Sequence, residues 1–76
     1  MPHTDIGFEL GKKIGGNIKR LRKGAGMSQK HLAQGVEISQ QALSYYESGR
    51  RNKFEGLVLL MRICRELGVG LNELVK

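Results

Sequence analysis

Apolar residues recur at helical spacing along this chain, and serine or glycine stands where each run would start or stop. Over residues 27–49, MSQKHLAQGVEISQQALSYYESG, Leu32, Ala33 and Val36 mark one short helix, and Leu43 and Tyr46 mark a second. Leu32 and Val36 are four apart and share a face, as do Leu43 and Tyr46 at a spacing of three. Ser28 and Ser39 precede the two runs, and a serine hydroxyl accepts from the free amides of a first turn. Only a three-residue turn fits between Val36 and Gln40. Its apolar member, Ile38, is expected to plug the corner where the helices cross, and Ala33 to sit at their closest approach.

The same periodicity predicts helices over about residues 9–23, 55–67 and 71–75. In the first, Leu10, Ile14, Ile18 and Leu21 keep helical spacing, while Gly15 and Gly16 weaken it by about 1 kcal/mol each relative to alanine. Gly24 and Gly26 end it, Gly49 stops the third helix and Gly68 the fourth. Residues 1–8 are expected to form a flexible N-terminal arm and residues 9–76 a single domain. The fold class expected is all-α, a compact five-helix bundle.

Two short helices joined steeply by a tight turn form a helix-turn-helix unit, whose second helix enters the DNA major groove. The apolar face of that second helix, about residues 40–48, leaves Gln40, Gln41, Ser44 and Tyr45 outward as one polar stripe. A glutamine amide donates and accepts together, which matches the N6/N7 edge of adenine. Tyr45 offers a hydroxyl, or a ring edge to a thymine methyl; it could equally lie over the core edge beside Tyr46. Exposed glutamines on an arbitrary helix are plain surface residues, so their place at the start of this helix carries the assignment. Gln29, opening the first helix of the unit, either reaches a phosphate or extends the cap; phosphate is the favoured role.

The chain resembles the lambda-repressor/Cro-like (XRE-type) helix-turn-helix family. The matching residues are Ser28-Gln29, Leu32-Ala33, Ile38-Ser39, Leu43-Ser44, and Glu47 with Gly49. Upstream, Ile14, Ile18, Leu21 and Arg22 match; downstream, Leu67-Gly68-Val69, Leu71 and Glu73-Leu74 match. A single SQ-x-x-LA element would be weak, but the ordered set spans nearly the whole chain. The resemblance implies a lambda-repressor-like bundle in which the second and third helices bind DNA. It also implies phosphate contacts from Gln29 and Ser39 and base contacts from Gln40, Gln41 and Tyr45. Lys30, Arg50, Arg51 and Asn52 are further phosphate candidates beside these. The resemblance suggests, too, a buried or half-buried ion pair between Arg22 and Glu47, joining the first helix to the end of the third. The alternative is two unrelated surface charges.

Two features depart from the family pattern. Glu37 occupies the turn position where glycine is usual, and a left-handed conformation there would cost on the order of 1–2 kcal/mol. The connection RRNKFEG after Gly49 is a residue or two longer than common and contains Phe54, so loop contacts map less securely than helix contacts.

Composition narrows the function classes. Seventy-six residues with 39% apolar content, four aromatics and no tryptophan suit one small helical core without a deep ligand cavity. No apolar run is long enough to span a membrane, no signal-peptide segment opens the chain, and the lone Cys64 is expected as a small buried hydrophobe; a cytoplasmic location follows. The net charge is +6. Residues 12–23 hold Lys12, Lys13, Lys19, Arg20, Arg22 and Lys23 without an acid, and Arg50, Arg51 and Lys53 follow the reading helix. These clusters can neutralise phosphates on either side of the groove, although charge runs are commonly just solvated surface. His3, His31 and Cys64 have no matched catalytic or metal partners in sequence, so neither an enzyme nor a metal or other cofactor is expected.

The fourth helix carries more apolar residues than one face needs. Leu57, Leu60, Met61, Cys64 and Leu67 form the expected inward stripe, with Leu59 and Ile63 to one side and Val58 opposite Leu59. A homodimer through Leu59, Ile63, Leu71 and Leu74 is therefore expected; the alternative for any one of them is that it lines a slightly larger core. The functional expectation is a sequence-specific transcription regulator, most simply a repressor on double-stranded DNA, with a palindromic operator bound by two copies. A restriction-modification controller and an antitoxin with a toxin partner would look alike. The competing class is a helical protein-interaction module without DNA binding.

Overall fold

The computed structural model describes residues 6–49 and 56–76. Five helices follow in order: α1 (Ile6–Gly24), α2 (Gln29–Val36), α3 (Gln40–Glu47), α4 (Leu57–Leu67) and α5 (Leu71–Leu74). No strand occurs among the described residues, and the all-α, five-helix architecture read from the sequence is the one observed. Helix α1 starts at Ile6 rather than near residue 9, so the last part of the expected arm is helical. Glu9 lies in its first turn, where a carboxylate interacts favourably with the exposed amides. The rest of the expected arm, residues 1–5, lies outside the described residues.

The core takes Ile14 and Ile18 from α1, Leu32, Ala33 and Val36 from α2, Leu43 from α3, Ile63 and Cys64 from α4, and Leu74 from α5. Ile38, in the turn between α2 and α3, is half-buried and packs on this cluster. Burial pushes the Cys64 thiol pKa up, so the group stays protonated and acts as a small apolar side chain. The short α5 is tied to α1 by Asn17, whose Nδ2 donates to the Leu74 carbonyl at 2.7 Å.

Helix α4 is rotated relative to the expected stripe. Ile63 is fully buried, Leu59, Leu60 and Leu67 are half-buried, and Leu57 and Met61 are 57% and 56% exposed. Ile63 and Leu74, expected at a dimer interface, therefore belong to the core of one chain and have no surface to give a partner. Leu59 packs on that core too, leaving Leu71 as the one expected interface residue that is exposed. On α1, Leu10 is exposed rather than part of the inner stripe.

Gly15 and Gly16 have opposite environments. A Cβ on Gly15 would overlap the Tyr46 carbonyl oxygen and lie 3.2 Å from its carbon, so α1 and α3 meet backbone to backbone there. A Cβ on Gly16 would have nothing within 4 Å. Next to this contact, Gly49 at φ 76° packs on α1, and its Cβ would lie 3.1 Å from Lys12 Cα. The glycine pair that looked like a weak point in α1 thus contains the residue that permits the close approach.

The stops of α1, α2 and α4 share one hydrogen-bond arrangement. Met27 N–H bonds to the Arg22 carbonyl, Ile38 N–H to Ala33, and Val69 N–H to Cys64, each at 3.0 Å. A second, inner bond from the preceding residue accompanies each, which completes the Schellman motif. Gly26 and Gly68 occupy the left-handed position in α1 and α4; Glu37, at φ 67°, occupies it in α2 and is the only described non-glycine residue with positive φ.

Two measurements check these packing arguments. Gly15→Ala forces two backbones apart, an overpacking cost of up to about 3 kcal/mol against a propensity gain of about 1 kcal/mol. Urea unfolding should show a net loss for Gly15→Ala and a gain for Gly16→Ala; equal effects would disprove the close approach. Glu37→Gly should raise the thermal midpoint by several degrees, since relief of left-handed strain is worth on the order of 1 kcal/mol. A lower midpoint would show that Glu37 is not strained.

Candidate nucleic-acid interface

Ser39 starts α3 by accepting from the Ala42 amide at 3.0 Å, as Ser28 starts α2 by accepting from His31. With Leu43 and Tyr46 turned to the core, Gln40, Gln41, Ser44 and Tyr45 are exposed. These four line a shallow concavity together with Gln29 and Ser48. A second hollow, on the far side of Gln41 and Tyr45, is lined by Ser39, Gln41, Ala42 and Tyr45. Gln41 and Tyr45, four apart on one helix, form the ridge between the two hollows. A polar ridge of this kind suits insertion into a groove whose walls carry donors and acceptors.

The orientation of the ridge depends on a buried polar network. Arg22 Nε donates to Glu47 Oε2 at 2.7 Å, and Nη2 donates to Oε1 at 3.0 Å. Arg22 Nη1 donates to the Met27 carbonyl at 2.8 Å, and Gln29 Nε2 donates to Glu47 Oε1 at 3.0 Å. The Glu47 carboxylate thus receives three hydrogen bonds, and the network joins α1, the α1–α2 turn, the start of α2 and the end of α3. The Arg22–Glu47 pair that the family resemblance implies is present and buried. The Gln29–Glu47 bond was not foreseen, because residues eighteen positions apart on different helices leave no periodic signal. Ser48 was missed as a lining residue although it stands four residues after Ser44 and continues the same stripe, a spacing that could have found it.

The other expected phosphate groups divide. Lys30 and Ser39 are exposed; the Ser39 oxygen is occupied by its cap bond while its hydroxyl hydrogen remains a donor. Arg50, Arg51 and Asn52 lie outside the described residues, as do Lys53 and Phe54. Within residues 12–23, Arg22 is committed to Glu47, whereas Lys12, Lys13, Lys19, Arg20 and Lys23 are exposed. His31 is exposed. No group of three or more potential metal ligands occurs among the described residues, and no described helix is long and apolar enough to cross a membrane.

Two short helices joined by a three-residue turn, the second with an exposed polar face, define a helix-turn-helix unit. A helix-turn-helix family model matches residues 18–53. The chain is 37% identical over 68 residues to an uncharacterized HTH-type transcriptional regulator, y4dJ, of Sinorhizobium fredii, covering 90% of this chain and 86% of that protein. Among solved structures, it is similar to the clp gene regulator ClgR of Corynebacterium glutamicum. That match has a TM-score of 0.79 at 26% identity and covers 86% of this chain and 67% of that one. It is also similar to the restriction-modification controller protein C.AhdI of Aeromonas hydrophila, with a TM-score of 0.76 at 26% identity, covering 84% and 94%. The chain belongs to the XRE-type helix-turn-helix family of transcriptional regulators.

Removing one member of the buried pair leaves the other charge uncompensated. Glu47→Ala should therefore lower unfolding free energy by about 3 kcal/mol or more, measured in urea. A change below about 0.5 kcal/mol, the scale of an exposed pair, would show that the pair does not hold the fold.

Proposed function

We propose that this protein is a sequence-specific transcription regulator that inserts α3 into the DNA major groove and acts as a repressor. The observation that carries the reading is the exposed polar face of Gln40, Gln41, Ser44 and Tyr45 beside a Gln29 fixed by Glu47. Glutamine amides suit adenine edges, and Ser39, Lys30 and the second amide hydrogen of Gln29 suit phosphates. An interaction module without DNA binding would be better served by an apolar ridge. Occlusion of a promoter by the DNA-bound bundle suffices for repression. Its place of action is then the cytoplasm.

One α3 reads only a few base pairs, and a palindromic operator bound by two copies doubles the contact. The half-sites would lie about 10 bp, or a multiple of it, apart. The surface suited to a second copy keeps only Leu71 of the residues expected from sequence. It is the exposed row of Leu57, Val58 and Met61 on α4, with Leu71 beside it. Arg62 and Arg65 flank this row and would stay at the wet rim of an apolar contact. Among regulators of this form, the restriction-modification controller reading draws support from the C.AhdI likeness, which covers nearly all of that chain.

The experiment is selection of bound DNA from a random duplex pool, run with the wild type, Gln40→Ala/Gln41→Ala and Met61→Glu. The wild type should enrich a palindrome. The α3 variant should lose that sequence while keeping its helical circular dichroism, and Met61→Glu should enrich a single half-site. Failure of the wild type to enrich any sequence would remove the reading. A toxin-like or other protein partner on the α4 row would appear instead as a single half-site already in the wild type.

A further inference from the structure

We propose that one flank of α1, carrying Lys12, Lys19 and Lys23, is a second phosphate-binding surface that grips the DNA strand beside the groove entered by α3. The inference rests on the reading of α3 as the groove helix. It comes from dividing the basic run of α1 according to what each side of the helix touches. At 3.6 residues per turn, Lys12, Lys19 and Lys23 fall within about 40° of one another and spread over about 16 Å of helix. Gly15 and Arg22, about 70° away on the same wheel, are the residues that touch α3, at Tyr46 and Glu47. Lys13 and Arg20 point about 160° away from that contact side. The sequence shows one cluster of cations, whereas the fold separates it into a row bordering α3 and a pair on the far side.

Three observations set the row against the DNA rather than in open solvent. Gly49, just past the end of α3, packs on Lys12, against both its Cα and the start of its side chain. Arg22, Glu47 and Gln29 connect the adjoining side of α1, the one that touches α3, to the concavity of the reading face. Gly16 stands at the outer edge of the row, about 20° beyond Lys23 on the wheel, with nothing near its Cβ position. A helix in the major groove ends against a phosphate strand, so whatever borders its C-terminal end lies over that strand. A row of about 16 Å spans roughly five base-pair rises of 3.4 Å. Of the charged groups near the row, Glu9 stands one turn before Lys12 and tempers that end, and Arg20 Nη2 turns to Asn17 Oδ1 at 3.4 Å. Lys19 and Lys23 form the centre of the proposed surface.

The test compares two double variants with the same loss of charge, Lys19→Gln/Lys23→Gln and Lys13→Gln/Arg20→Gln. Each is titrated on the selected duplex and on a random duplex of equal length over a range of salt. Loss of two phosphate contacts lowers the slope of log K against log salt by about 1.8. That fall is expected for the Lys19/Lys23 pair, with equal weakening on both duplexes, and less than half of it for the other pair. Equal slopes for the two pairs would mean that net charge alone acts, and would overturn the proposal while leaving groove binding intact. No binding of either duplex by the wild type would remove both.

Discussion

A buried guanidinium is stable only where something of opposite charge meets it, and this fold is arranged around one such meeting. Arg22 and Glu47 are 7% and 6% exposed. Each would carry a desolvation cost of several kcal/mol alone. Together, with Gln29 and the Met27 carbonyl filling remaining hydrogen-bond positions, they leave no buried side-chain polar atom unpartnered among the described residues. The arrangement has a directional consequence that apolar packing lacks. A two-bond contact between guanidinium and carboxylate tolerates little rotation, so the last turn of α3 is fixed in angle as well as position. The outward stripe inherits that angle.

The backbone contact between α1 and α3 works with the ion pair. Gly15 removes the side chain that would otherwise hold the helices apart, and Gly49 packs closely against Lys12. A larger separation would stretch the Arg22–Glu47 bonds. The glycine that lowers local helix propensity therefore serves the tertiary arrangement, as expected where packing outweighs propensity.

The elements were legible in the sequence because their signals are local. Serine caps, helical spacing and left-handed stops each lie within a few residues, and they located α2 and α3 closely. The polar stripe was legible for the same reason: once Leu43 and Tyr46 point inward, Gln40, Gln41, Ser44 and Tyr45 have only the outside. Helix α4 was misjudged in rotation. Its apolar residues cover well over half its circumference, so periodicity alone cannot choose the inward side. Packing against the other helices makes the choice and buries Ile63 in place of Leu57 and Met61. Gly15 and Gln29 were opaque because their meaning lies in residues of another helix.

The corrected rotation of α4 changes what kind of assembly the chain can form. Had Ile63 and Leu74 been the interface, dimerisation would have competed with folding for the same side chains. With both in the core, the outer row of Leu57, Val58 and Met61 is available without disturbing the bundle. A two-fold interface uses the same patch on both copies, so a charged row there would meet its own sign. An apolar row bordered by Arg62 and Arg65 avoids this, since the arginines can remain in water at the edge. The molecule thus divides its surface by chemistry: polar and basic groups border α3, and apolar groups crown α4. Salt weakens contacts of the first kind and leaves the second largely unaffected. In the proposed dimer, raising the salt would release DNA while the two copies stay paired.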